Sequence, residues 1–114
     1  MRGYTKDQID KFIDKVVEFS GLEEAIFKPV RTYSSGMMMR LSASIILHFE
    51  ADILLLDEFI STGDKDFKKK FDEYMSKKLE FTKIVILASH SEETVKKLCN
   101  KIIYLNSGKI DKIE

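Results

Sequence analysis

The sequence predicts an α/β fold, a helical lobe followed by a layer of short apolar strands alternating with helices. Three observations predict it. Residues 9–17 carry an apolar stripe at helical spacing. Ile53-Leu54-Leu55-Leu56 and Ile84-Val85-Ile86-Leu87-Ala88 are continuous apolar runs of strand length. Ile102-Ile103-Tyr104-Leu105 is followed by a turn and a second short run, the pattern of a hairpin. The order, helices first and then β-α-β-α-β-β, implies an α/β layer that carries a helical lobe. A length of 114 residues suffices for one core, and 44% hydrophobic residues are too many for a disordered chain. Nineteen basic and nineteen acidic residues balance, which argues against a polybasic nucleic-acid or membrane-surface binder. One cysteine, Cys99, leaves no internal disulfide framework and suits a reducing compartment. No apolar run approaches the ~18 residues of a membrane span, and no stretch has the form of a signal peptide. A soluble intracellular domain, or part of one, is expected.

The elements follow in order. Thr5-Lys6-Asp7-Gln8 has capping-box form, and Ile9, Phe12, Ile13, Val16 and Val17 behind it make one helical face. Gly21 stands where a left-handed C-terminal cap belongs. Residues 22–27 predict a short second helix that Pro29 ends, because the residue before proline avoids the helical region. After the polar break Thr32-Tyr33-Ser34-Ser35-Gly36, a third helix over about 36–49 carries Met37, Leu41, Ile45 and His48 near one face. The two apolar runs are predicted to be strands buried on both faces, as in a parallel sheet. Between them Asp64 caps a helix with Phe67, Phe71, Tyr74, Met75 and Leu79 inward. Its lysine-rich face (Lys65, Lys68, Lys69, Lys70, Lys77 and Lys78) reads as solvated rather than as a binding patch. Ser91 opens a short helix with Val95, Leu98 and Cys99 inward, and a hairpin turning at Asn106-Ser107-Gly108 closes the chain.

Chemistry concentrates at three places. Asp57 and Glu58 put two carboxylates at the C-terminal end of a buried strand, the end where ligands bind in open α/β sheets. An aspartate there can hold Mg²⁺, and a glutamate beside it can polarise a water for attack on a phosphoryl group. The next strand ends in Ser89-His90, and two parallel strands would bring both ends to one crevice. Alone, that histidine also reads as a hydrogen-bonded structural residue. Tyr33-Ser34-Ser35-Gly36-Met37 begins a helix, where a hydroxyl and unpaired amides favour an anion; the same residues also read as an ordinary serine cap.

Taken jointly, these segments point to a family. Tyr33-Ser34-Ser35-Gly36-Met37-Met38-Met39-Arg40-Leu41 resembles the signature motif of ABC-type ATPases, and Ile53-Leu54-Leu55-Leu56-Asp57-Glu58 is similar to Walker B. Ser61-Thr62-Gly63-Asp64 falls where the D-loop follows, and Ser89-His90 where the switch histidine sits. The resemblance runs from about Gly3 to the end, and the Y-S-S-G-M variant is similar to the subfamily exporting O-antigen, capsule and teichoic-acid polysaccharides.

The resemblance implies a P-loop NTPase-like three-layer α/β core, present as its C-terminal half with a closing hairpin, plus part of the ABC helical subdomain. Residues 1–50 would be the partial helical subdomain with the signature, and 51–114 the C-terminal part of the ATPase core. It implies Glu58 as general base and His90 as the residue holding the γ-phosphate. Asp57 would serve Mg²⁺, and Ser34, Ser35 and Gly36 would meet ATP bound on a partner subunit. Asp64 would cross the dimer interface. ATP and Mg²⁺, a second ATPase subunit and a membrane permease are the implied cofactors and partners, with no nucleic acid. The implied location is cytoplasmic, on the inner membrane face through the permease. Ser35, Met37 and Phe59 depart from the commonest pattern, the first two in ways familiar in the polysaccharide subfamily.

A phosphate cradle needs G-x-x-x-x-G-K-[ST], and the glycines at 3, 21, 36, 63 and 108 do not build one. Only Gly108 precedes a lysine, and Ile110 follows. The chain therefore reads as the C-terminal half of a nucleotide-binding domain, inactive by itself. The resemblance also implies a strand leading into the cradle, lying between the switch-histidine strand and the next; without it, residues 84–88 are expected either to pair with 102–105 or to keep an open edge. Marginal stability and self-association are expected. Three other readings stay open: half of a DNA-repair-type ABC ATPase, a non-catalytic truncated module that pairs with an intact ABC ATPase, and an α/β domain with chance motifs.

Overall fold

A computed structural model describes residues 3–58 and 64–114. The chain divides into two compact units, one helical and one α/β.

The helical unit holds α1 (Lys6–Ser20), α2 (Ser35–His48) and α3 (Lys65–Phe81). The capping box forms as expected: Thr5 Oγ1 accepts from the Gln8 amide at 3.2 Å and Gln8 Oε1 accepts from the Thr5 amide at 2.9 Å. Gly21 closes α1 at φ 64°, where a side chain would be strained. Val16, Phe19 and Ser20 are buried, whereas Ile13 is 49% exposed. The inward stripe is therefore Ile9, Phe12, Val16 and Phe19, with its phase set by the two phenylalanines. Phe12 packs edge-on to Phe49, and Phe19 edge-on to His48, Phe67 and Tyr74.

The short second helix is a 3-10 turn, Glu23–Phe27, and Lys28 before Pro29 is extended at ψ 154°. A second such turn, Val30–Thr32, leads to Ser34, whose Oγ accepts from the Met37 amide at 3.1 Å and caps α2. The buried face of α2 is Ala43, Ser44 and Leu47, with Arg40 half-buried in the same row. Ile45 is 39% exposed, so the face expected from Met37, Leu41, Ile45 and His48 is corrected. Apolar residues stand on every side of this helix, and the small Ala43 and Ser44 let a neighbouring helix approach closely. The core is completed by Leu22 and by Phe67, Phe71 and Met75 of α3. Two lysines of α3 are not simply solvated. Lys70 Nζ donates to the Phe19 carbonyl at 3.1 Å and Lys78 Nζ to the Phe49 carbonyl at 2.6 Å, satisfying helix-end acceptors.

The α/β unit holds β1 (Ile53–Asp57), β2 (Ile84–Ala88), α4 (Glu92–Leu98), β3 (Ile103–Asn106) and β4 (Lys109–Ile113). β1 and β2 are parallel and in register from Ile53 opposite Ile84 to Asp57 opposite Ala88. β3 and β4 form the antiparallel hairpin, turning through Ser107 at φ 50° and Gly108 at φ 78°, the two positive angles that a tight hairpin turn requires. Among the described residues the hairpin is a separate sheet, so β2 pairs with β1 alone and its other edge stays open. The apolar runs are not buried on both faces. Leu54, Leu56, Val85 and Leu87 are half-buried, while Ile53, Leu55, Ile84 and Ile86 are 51–69% exposed. Along each strand half-buried and exposed residues alternate, so only one face of the pair is covered.

Candidate functional site

Parallel register places the carboxyl ends of β1 and β2 side by side. The Glu58 amide donates to the Ala88 carbonyl at 2.8 Å, extending the ladder one residue past Asp57. Glu58 then turns at φ 62°, a left-handed conformation uncommon outside glycine and concentrated at functional sites. His90 Nε2 lies 3.3 Å from Glu58 Oε1. The imidazole is 98% exposed and the carboxylate about half exposed, so both groups face solvent. Between them in sequence, Ser89 Oγ accepts from the Ser91 amide at 3.0 Å, and Ser91 Oγ accepts from the Thr94 amide and caps α4. An exposed carboxylate beside an imidazole at a strand end can hold and polarise a water.

Asp57 is exposed at the end of β1. Among the described residues no three His, Cys, Asp or Glu side chains gather closely enough to hold a metal by themselves. A lone oxygen donor suits Mg²⁺, which keeps waters and shares phosphate oxygens rather than sitting in a protein cage. It does not suit zinc, which needs three or four protein ligands.

Ser34, Ser35 and Gly36 lie in the helical unit, at the exposed start of α2. The Ser34 hydroxyl accepts one amide and keeps its own hydrogen to donate. The first amides of the helix have no intrahelical acceptor. Among the described residues a Cβ at Gly36 would meet only Ser34 Oγ, at 3.9 Å, so their packing does not demand glycine there.

Asp64 is engaged within the helical unit. Its Oδ1 accepts from the amides of Asp66 and Phe67 at 3.0 and 3.1 Å, and its Oδ2 pairs with Arg40 Nη2. The Phe67 amide, with Arg40 beside it, holds this carboxyl below its usual value. Arg40 also reaches the Ser20 carbonyl at 3.5 Å and stacks 5.0 Å over the Phe67 ring. Arg40 stands within the signature-like segment, where the resemblance gives it no role. The available signal was its phase, three and seven residues before the buried Ala43 and Leu47, where a cation needs a partner. Phe59, Ser61, Thr62 and Gly63 lie outside the described residues.

The order of elements and the order of motifs agree on one class of protein. Over this length the chain corresponds to the C-terminal part of an ABC-type ATP-binding domain. No family model matches it. Curated relatives do. It is 40% identical over 110 residues, 96% of this chain and 24% of the relative, to the teichoic acids export ATP-binding protein TagH of Lactococcus lactis. It is 38% identical over 108 residues, 95% of this chain and 41% of the relative, to TagH of Staphylococcus saprophyticus. It is 35% identical over 114 residues, 97% of this chain and 25% of the relative, to the O-antigen export system ATP-binding protein RfbB of Myxococcus xanthus. The chain spans between about a quarter and two fifths of the length of these relatives. The resemblance to the polysaccharide-export subfamily is borne out by them.

Proposed function

We propose that this chain supplies the signature and Walker B part of an ABC transporter ATPase, whose ATP hydrolysis drives export of teichoic acid or a related polysaccharide through a membrane permease. The observation that carries this reading is the Glu58 carboxylate 3.3 Å from His90 at adjoining ends of two parallel strands. Glu58 takes the proton of the attacking water as general base. His90 holds that carboxylate on one side and donates toward the γ-phosphate on the other. Asp57 would hold Mg²⁺, which when bound neutralises charge on the phosphates. Ser34, Ser35 and Gly36 face ATP on a second ATPase subunit, with Asp64 at the same interface. The subunit works at the cytoplasmic face of the membrane, held there by the permease. No helix among the described residues is long and apolar enough to cross it. The names of the relatives, all export ATP-binding proteins, support the reading.

The sequence contains no G-x-x-x-x-G-K-[ST]. Positioning is most of phosphoryl-transfer catalysis, so the chain alone turns over no ATP. The test is a chimera in which residues 3–114 replace the matching segment of the Lactococcus lactis relative. The chimera is expected to hydrolyse ATP and to lose at least about 100-fold in rate with Glu58→Gln. A folded, ATP-binding chimera without turnover would contradict the proposal, as would turnover by the chain alone that vanishes in Glu58→Gln.

A second reading is favoured by the exposed start of α2 in a chain without a cradle. In it the chain is a non-catalytic module that docks through residues 34–36 on an ATP-loaded intact subunit.

A further inference from the structure

The observation concerns how Asp64 is held. One oxygen of its carboxylate organises the first turn of α3 through the Asp66 and Phe67 amides, and the other pairs with Arg40. Arg40 belongs to α2, six residues after Ser34, or about 9 Å along the helix. Its side chain is only 31% exposed, and its guanidinium engages the Ser20 carbonyl at the end of α1, the ring of Phe67 and Asp64 at once. Planar multivalent donation of this kind needs arginine; an ammonium is a point charge that cannot stack and fork together. Gly21 keeps room for it, since a Cβ there would stand 3.3 Å from Arg40 Nη1.

We infer that Arg40 is a positioning residue that locks Asp64 and the start of α3 to the helix beginning at Ser34, making the partner-facing surface one piece built from both helices. The inference deepens the proposed function and rests on its partner-facing surface. A shift of α2 at its N-terminus is carried through Arg40 to Asp64 and the first turn of α3. A lysine at position 40 would keep the charge and lose the shared grip.

The test uses the whole chain as wild type, Arg40→Gln, Arg40→Lys and Asp64→Asn, with two readouts. The first, by NMR on the chain alone, follows the titration of the Asp64 carboxyl and hydrogen exchange at the Asp66 and Phe67 amides. Arg40→Gln is expected to raise the Asp64 midpoint and to speed that exchange about tenfold, leaving the Gln8 amide at the far end of α1 unchanged. Arg40→Lys restores the midpoint but not the exchange. The second is ATP-dependent association with the intact Lactococcus lactis relative. Arg40→Gln and Asp64→Asn are each expected to weaken it about tenfold, with Arg40→Lys between. Asp64→Asn keeps a capping oxygen and guards against misreading a folding defect. Unchanged titration and exchange in Arg40→Gln would overturn the inference, and so would a released Asp64 with full-strength association. A wild-type chain that holds Asp64 as described yet never associates would refute the partner-facing surface and leave the lock standing.

Discussion

The two units of this chain are held together by different means. Every buried apolar side chain among the described residues, from Val16 to Met75, belongs to the helical unit. In the α/β unit no described residue is buried, and Leu55, Leu105 and Ile110 are 60–71% exposed. The helical unit positions its candidate residues by packing: Ser34 caps a helix whose Ala43, Ser44 and Leu47 are buried in the core. The α/β unit positions Glu58 and His90 by strand register and one backbone hydrogen bond. A site can therefore be geometrically present on a scaffold that has little core of its own.

The largest effect that tests this contrast is a pair of truncations. Phe19→Ala removes a 4% exposed ring packed on Phe67, His48 and Tyr74 and is expected to cost about 3–5 kcal/mol. Leu55→Ala, at a 69% exposed position, is expected to cost under about 1 kcal/mol. Urea denaturation followed by helical circular dichroism measures both, and equal costs would erase the distinction.

Next in size is association. The exposed face of Ile53, Leu55, Ile84 and Ile86, beside an open strand edge, is an apolar patch that favours self-association. Sedimentation of the wild type is expected to depend on concentration, and the double variant Leu55→Lys, Ile86→Lys to associate at least about tenfold more weakly. A wild-type chain that stays monomeric at high concentration shows that the face is quiet.

The smallest effect is acid loosening, and it should reach the two units in order. Glu92 is held below its usual 4.5 chiefly by a hydrogen bond from Lys96, and Glu114 likewise by one from Lys112, with the single Tyr104 hydroxyl hydrogen shared between the two carboxylates. A carboxylate depressed in the folded state contributes fully above its unfolded value and loses that contribution as pH falls through the folded one. The hairpin and α4 therefore begin to loosen below pH 4.5, and the first turn of α3, held by Asp64, only below 3.8. Amide exchange along an acid series checks the order. Simultaneous loosening would mean that these surface pairs do not set local stability.

Local signals were legible in the sequence and long-range ones were not. Thr5 with Gln8, Gly21, Ser34 and Asp64 each act within a few residues, and each takes the cap its type and position imply. Glu58 and His90 were legible together because parallel pairing of two apolar runs needs only that they be neighbours. The phase of α2 was not, since seven of its residues between Met37 and Leu47 are large and apolar. Ile13 misled for a similar reason, lying beside the stripe that Phe12 and Phe19 define. Arg40 and Lys78 find their partners 24 and 29 residues away, beyond the reach of any periodicity. The open face of β1 and β2 escaped prediction because an apolar run states what would favour burial, not whether a covering layer is there.

Under the proposed function, residues 34–36 meet ATP bound on another subunit, whereas Asp57 belongs to a nucleotide site for which this sequence has no G-x-x-x-x-G-K-[ST]. ATP-dependent binding of the wild-type chain, Ser34→Glu and Asp57→Asn to the intact Lactococcus lactis relative tests it most directly. If residues 34–36 meet ATP as proposed, a glutamate at position 34 would bring a like charge against the γ-phosphate and should abolish binding. Asp57→Asn changes a side chain that would serve the nucleotide site at the strand ends, and should alter binding less than about threefold. Equal binding by all three chains, or binding indifferent to ATP, would show that Ser34 only caps a helix and would contradict the claim.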